Sequence, residues 1–61
     1  MIRVKLFDCE HEKDLENEMN RFLAKMEEKK LLDIKYNIAA MHEDEEDDQI
    51  YCFSAMIIYR G

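Results

Sequence analysis

The sequence contains no proline, no tryptophan and a single glycine at its last position, Gly61. The shortage of glycine argues against a two-residue hairpin turn, because such turns need residues with positive φ. No apolar run approaches the roughly 20 residues that span a bilayer, and the opening residues are too charged for a signal sequence. Two cysteines are too few for a disulfide framework. We therefore predict one domain over residues 1–61, with reduced thiols and without linkers or repeats.

Basic residues are also scarce: nine Lys and Arg stand against 15 Asp and Glu, and the net charge is −6. Non-specific binding to DNA, RNA or anionic membranes depends on clustered cations, so we expect no nucleic-acid or membrane partner. A compact anionic ligand is not excluded, because a pocket depends on its local field. A chain of this size has a marginal core, and oligomerisation is the support that its composition favours.

The apolar residues that are present predict a strand, a helix and two further strands. Residues 1–7 and 32–41 alternate apolar and polar side chains, as half-buried strands do. Between them an apolar stripe recurs at helical spacing, and we predict a helix from about Glu10 to Lys30 with Asp8 as its N-terminal cap. The stripe consists of Leu15, Met19, Phe22, Leu23 and Met26.

The last strand, residues 50–59, is apolar on both faces, which is typical of a strand covered on both sides. We place it in the centre of a three-stranded antiparallel sheet of order 1-3-2, after a solvated acidic loop at residues 42–48. The single helix covers one sheet face, so we predict an α+β fold, β-α-β-β, whose bare face assembles a homo-oligomer, a dimer or tetramer. The residues assigned to that bare face are Phe7, Tyr51, Phe53, Ile57 and Tyr59. A register shift of one residue exchanges the two faces.

Cysteine and histidine residues are too scattered for a structural zinc site. Cys9 and His11 are separated by one residue, whereas such sites space paired ligands more widely, and His42 and Cys52 stand alone. The acidic run lacks the turn glycine and the length of a calcium-binding loop. Cys9, with a thiol pKa lowered near the helix start and His11 as base, is a candidate nucleophile, yet 61 residues offer little to position a substrate. We predict no enzyme, no metal and no cofactor.

A ligand site formed where subunits meet has a stronger basis. Such pockets are lined by aromatic side chains with a few polar groups, so aromatic rings would stack on bases and Arg and Lys would hold phosphates. The candidate ligand-binding residues are Arg3, Lys5, Tyr36, Tyr51, Phe53, Tyr59 and Arg60, with Arg21 and Lys25 as further cations. The alternative stays open that the aromatic residues form an interface core and that the cations pair with surface carboxylates.

Two segments carry a resemblance to known proteins. VKLFDCEHEKDLENEMN, residues 4–20, and IYCFSAMIIY, residues 50–59, resemble a family of very short sporulation proteins of endospore-forming bacteria, made under mother-cell control. That family brings no established catalytic residues. In size, acidity and element order the chain is also similar to small phage proteins that act as sponges for cyclic nucleotide signals of the CBASS antiphage defence.

The resemblances imply two functions for a cytoplasmic protein of a bacterial cell. The leading hypothesis is a non-enzymatic oligomer, encoded by a phage or a bacterium, that sequesters a cyclic nucleotide immune signal such as a cyclic dinucleotide. The alternative is a structural or protein-interaction protein of the sporulating mother cell that binds no small ligand.

Overall fold

The structure is a computed structural model that describes residues 1–42 and 49–61. Its elements follow in the order β1 (Ile2–Cys9), α1 (Glu12–Ala24), a short 3-10 helix (Glu28–Lys30), β2 (Leu31–His42) and β3 (Gln49–Arg60). The predicted α+β class is confirmed, and β2 continues to His42, which the sequence had assigned to a loop. The rest of that acidic loop, residues 43–48, lies outside the described residues. Neither helix in the described part is long and apolar enough to cross a membrane.

The three strands form one antiparallel sheet in the predicted order β1-β3-β2. On one side of the central strand β3, pairing with β1 runs from Ile2 opposite Arg60 to Cys9 opposite Phe53. On the other side β2 stays paired with β3 as far as Gln49. β2 and β3 therefore extend past the end of β1 as a two-stranded arm.

The helix α1 is shorter than the sequence predicts, because it ends at Ala24 and not at Lys30. Beyond Met26 the segment 27–30 contains only charged residues, so it offers no apolar side chain that packing could use to sustain another turn. The backbone of Glu27 is extended, with φ −72° and ψ 132°. Met26 still packs against the core, which explains why the apolar stripe includes a residue outside the helix.

The start of α1 also differs from the prediction, since Asp8 does not cap it. Asp8 belongs to β1, where its carboxylate accepts a hydrogen bond from the Ser54 hydroxyl at 2.8 Å. His11 occupies the N-cap position, and its side chain makes no capping hydrogen bond within the described residues. The strand continues two residues further than expected, and this extension displaces the helix start to Glu12.

The core lies between α1 and one face of the sheet, and it is small. Among the residues that the structure describes, four are buried, namely Phe7, Leu15, Ala55 and Ile57. Phe22 of the helix meets the rings of Phe7 and Tyr59 edge-on, with centroids 6.0 and 5.3 Å apart. These edge-on contacts add to the burial of apolar area and select the face that the helix covers.

The assignment of the bare face was therefore wrong. Phe7 and Ile57 lie beneath the helix, and Ile57 is 0% exposed. The face turned away from α1, here called the open face, carries the even-numbered residues of β1 and β3. Its apolar strip consists of Ile2, Val4, Leu6, Met56 and Ile58.

Candidate functional site

The seven residues predicted to bind a ligand lie on both faces of the sheet. Those on the helix side are Arg3, Lys5, Tyr36, Tyr51, Phe53 and Tyr59, as their pairing with β1 and β3 residues requires. Arg60 lies on the open face, opposite Ile2. A single copy of the chain thus does not gather all seven into one pocket, and their role in ligand binding stays a prediction.

The predicted aromatic residues differ in their accessibility. Phe53 and Tyr59 are partly buried against the core, whereas Tyr36 and Tyr51 are 50% and 42% exposed. The rings of Tyr51 and Phe53 stack with centroids 6.2 Å apart. Partial desolvation raises the pKa of the Tyr36 phenol, and the negative charge of Glu12 adds to the shift. Tyr36 and Tyr51 present accessible rings, while Tyr59 serves packing of the helix.

An open groove of about 580 Å³ separates β1 from α1 and carries three cations. Lys5 comes from β1, and Arg21 and Lys25 come from the end of α1 and the residue that follows it. The Nζ atom of Lys5 lies 5.8 Å from the centroid of the Phe7 ring. None of the three cations forms an ion pair with any residue that the structure describes. This groove is the candidate site for an anionic group.

Two carboxylates line the same groove and reduce its positive charge. Asp8 accepts the hydrogen bond from Ser54, and Glu18 accepts one from the Cys9 thiol at 3.4 Å. The bond from Cys9 holds the Glu18 carboxylate on the helix side, whereas the bond from Ser54 draws the Asp8 carboxylate toward the open face. The groove therefore has a mixed charge with an excess of one cation, in a chain whose net charge is −6.

Cys9 lacks the properties of an activated nucleophile. Partial burial raises the pKa of its thiol, and the hydrogen bond to Glu18 and the charges of Glu18, Asp14 and Asp8 raise it further. The prediction of a lowered pKa was wrong, because partial burial and then the neighbouring carboxylates all disfavour the thiolate. His11 is the N-cap residue of α1, and its side chain makes no capping hydrogen bond within the described residues.

The two thiols lie on opposite faces of the sheet, so they do not face a common metal site. Cys9 lies on the helix side opposite Phe53, while Cys52 is on the open face, and both are free. Across residues 1–42 and 49–61, no group of three or more His, Cys, Asp or Glu side chains is placed to hold a metal ion.

The open face forms the second candidate site. Ile2, Val4 and Leu6 are 65%, 53% and 62% exposed, more than any other large apolar side chain among the described residues of the strands. Along the β2 margin, the Nζ atom of Lys35 lies 3.2 Å from a carboxylate oxygen of Asp33. The hydrogen bond from Lys35 lowers the pKa of Asp33. An apolar strip with a charged margin is typical of a protein interface.

Ser54 is a signal in the sequence that favours its own face of β3 as the open face. Its hydroxyl interrupts the apolar run of β3, and a hydroxyl buried without a partner costs free energy. On the open face the hydroxyl donates to Asp8 at 2.8 Å. In the structure the face of β3 that contains Ser54 is the one that the helix leaves uncovered.

Comparison with known proteins gives a family match over the whole chain. The family model described as Sporulation protein Cse60 matches residues 1–61. The chain is similar to a Bacillus subtilis strain 168 protein named Sporulation protein cse60, with 52% identity over 60 residues that cover 98% of each chain. No solved structure matches the chain.

Proposed function

The chain belongs to the Cse60 family of sporulation proteins, and from this premise we propose that it is a protein-interaction protein of the sporulating cell. It binds through the apolar strip of the open face, in the cytoplasm, and converts no substrate. The observation that carries this proposal is the exposure of Ile2, Val4 and Leu6 on a strand that the helix does not cover. Soluble monomers rarely leave contiguous apolar surface of this kind uncovered.

The chemistry of the chain supports a binding role over a catalytic one. The thiol of Cys9 has a raised pKa, so it is largely protonated near neutral pH and is a poor nucleophile. The thiol donates its hydrogen bond to the carboxylate of Glu18, and not to an imidazole. On the open face the Ser54 hydroxyl donates a hydrogen bond to the exposed carboxylate of Asp8, and a carboxylate is far too weak a base to generate much alkoxide near neutral pH.

Site-specific photo-crosslinking in sporulating Bacillus subtilis cells tests the proposal. The chain is expressed with a photoreactive amino acid in place of Val4, on the apolar strip. The control carries it in place of Lys13, whose side chain is 80% exposed on the helix. We expect crosslinked products, identified by mass spectrometry, at position 4 and not at position 13. If position 4 and a second probe at Ile58 both give no product, the open face does not contact protein and the proposal fails.

A second candidate function, binding of a small anionic nucleotide, is favoured by the groove between β1 and α1. Three cations without ion-pair partners among the described residues line it, and its volume is in the range of ligand pockets. The names of the family and of the relative mention no ligand. This candidate therefore rests on the groove and on the resemblance to cyclic nucleotide sponges.

A thermal-shift screen against cyclic di- and trinucleotides tests this second candidate. Binding to the native state raises the unfolding temperature, and Arg21→Gln should remove the shift because it removes a bidentate phosphate donor. Lys13→Gln is the matched control, since Lys13 pairs with Glu16 on the helix surface, away from the groove. No shift with any of these nucleotides would exclude sequestration of them.

A further inference from the structure

We propose that the open face pairs with the open face of a second copy, about a twofold axis perpendicular to the strands, so that Asp8 of each copy meets Arg60 of the other. This inference rests on the proposed function in that it uses the same surface, and it names the occupant. The result is a four-layer molecule with two sheets inside and the two helices outside.

The surface of the isolated chain exceeds what a folded monomer of its mass should expose. A compact 7.4 kDa protein is expected to expose about 4,200 Å², whereas this chain exposes 5179 Å². Its radius of gyration is 14.3 Å, against about 10.5 Å for a compact chain of this length. The β2–β3 arm accounts for part of this difference. The excess of roughly 1,000 Å² resembles the share of about 800 Å² that each partner buries in a standard interface.

The open face is the surface where such an interface best fits, because its apolar side chains lie in register across two strands. Val4 is opposite Ile58, and Leu6 is opposite Met56. Two face-to-face sheets lie about 10 Å apart and bury such rows between them. A sheet that is covered by a helix on one side and by a second sheet on the other also explains why β3 is apolar on both faces.

The charges at the two ends of the strip determine the orientation of the second copy. We call each cross-strand pair on the open face a row. The row of Ile2 and Arg60 is positive, and the row of Asp8 and Ser54, three rows away, is negative. A twofold axis between the two central rows places the positive end of one copy on the negative end of the other. Arg60 of each copy then lies one strand away from Asp8 of the other, within reach of its long side chain.

The margin formed by β2 obeys the same symmetry. Asp33 lies in the row of Ile58, and Lys35 lies in the row of Met56. Because the axis exchanges these two central rows, Asp33 of one copy faces Lys35 of the other. The existing 3.2 Å contact within each copy thereby becomes part of a four-charge cluster at the rim of the interface.

The other face-to-face orientation conflicts with the sequence. An axis parallel to the strands superposes Arg60 on Arg60, and like charges placed opposite each other across an interface are strongly unfavourable. It also places the apolar open-face side chains of β1 on the polar open-face side chains of β2, which include Lys35 and Asn37. The pattern of side chains therefore selects the perpendicular axis.

Sedimentation of the purified chain and its charge variants tests the pairing. We expect sedimentation equilibrium to give the parent a molecular mass of twice 7.4 kDa. Asp8→Arg alone and Arg60→Asp alone should each weaken dimerisation at least roughly tenfold, because each brings two pairs of like charges together. An equimolar mixture of the two variants should recover the dimer, since every contact in the mixed pair joins an arginine to an aspartate.

Restoration by mixing is the decisive outcome, because no effect within one chain can produce it. Circular dichroism verifies that each variant is folded, and Val4→Lys gives an independent variant that should remain monomeric. Ile38→Lys is its matched control, because Ile38 is 51% exposed and lies on the helix side of β2.

Three results would overturn the proposal: a parent that stays at 7.4 kDa, an assembly that survives Val4→Lys, or a mixture that stays monomeric. A monomeric parent that still crosslinks to another protein at position 4 would leave the proposed function intact.

Discussion

Ile57 is the residue on which the small core depends most. It is 0% exposed in the central strand and lies opposite Lys5 on one side and Ile34 on the other. With four buried residues in the described part of the chain, the loss of one large side chain removes a sizeable share of the apolar contacts that stabilise the domain.

Ile57→Ala should lower the free energy of unfolding by about 2–5 kcal/mol, because it removes buried methyl groups and leaves a cavity. Ile38→Ala, the matched control at a half-exposed position, should stay within about 1 kcal/mol of the parent. Urea unfolding followed by circular dichroism, at one protein concentration, measures both values. Equal losses for the two variants would contradict the placement of Ile57 beneath the helix.

Cys9 should titrate at a higher pH than the thiol of an unfolded cysteine peptide. Its pKa is raised, chiefly by partial burial and then by the hydrogen bond to Glu18, so at a given pH near neutrality less thiolate is available for alkylation. Glu18→Gln should lower that pKa and speed alkylation, because it removes a negative charge beside the sulfur. The pH dependence of iodoacetamide reaction, measured with Cys52→Ser present, gives the midpoint.

Glu16→Gln is the matched control for this titration, since Glu16 pairs with Lys13 on the outer surface of the helix. It should leave the midpoint unchanged. A midpoint below that of the unfolded peptide would instead mean an activated thiol, and the hypothesis of a Cys9–His11 enzyme would regain support.

At the scale of elements, sequence patterns locate the strands well and the helix end poorly. The uncharged run 50–59 predicts the central strand, and the structure extends it by one residue at each end. The helix stripe includes Met26, although α1 ends at Ala24, because a residue in the following turn reaches the same core. The spacing of residues along a sequence does not distinguish a methionine buried from within a helix from one buried from the turn that follows it.

The covered face of the sheet is harder to predict than the strand order, because β3 is apolar on both faces. The choice depends on the edge-on contacts of Phe22 with Phe7 and Tyr59, which join residues from three elements. Such contacts require the packing angle of the helix. By contrast, strand alternation alone separates Arg60 from Tyr59, so a pocket that contains both needs more than one face of the sheet.

The groove between β1 and α1 was only partly predictable. The sequence identifies Lys5, Arg21 and Lys25 as cations that can meet an anion, but their meeting at one groove depends on how the helix lies across β1. The mixed charge of the groove could not be predicted either, because Asp8 and Glu18 line it only through the packing of α1 beside β1. Side chains brought together by tertiary packing leave no regular spacing in the sequence.

At the scale of the whole molecule, a small core and an uncovered apolar face point to stability that depends on association. The thermal unfolding midpoint of the parent should rise with protein concentration, because a partner that binds only the folded chain stabilises it by mass action. At about 100 times the dissociation constant the gain is about 2.7 kcal/mol. Val4→Lys should remove this dependence and Ile38→Lys should retain it, since only Val4 belongs to the apolar strip. Calorimetry over a range of concentrations measures the effect. A midpoint independent of concentration in the parent would show that the isolated chain supplies all of its own stability.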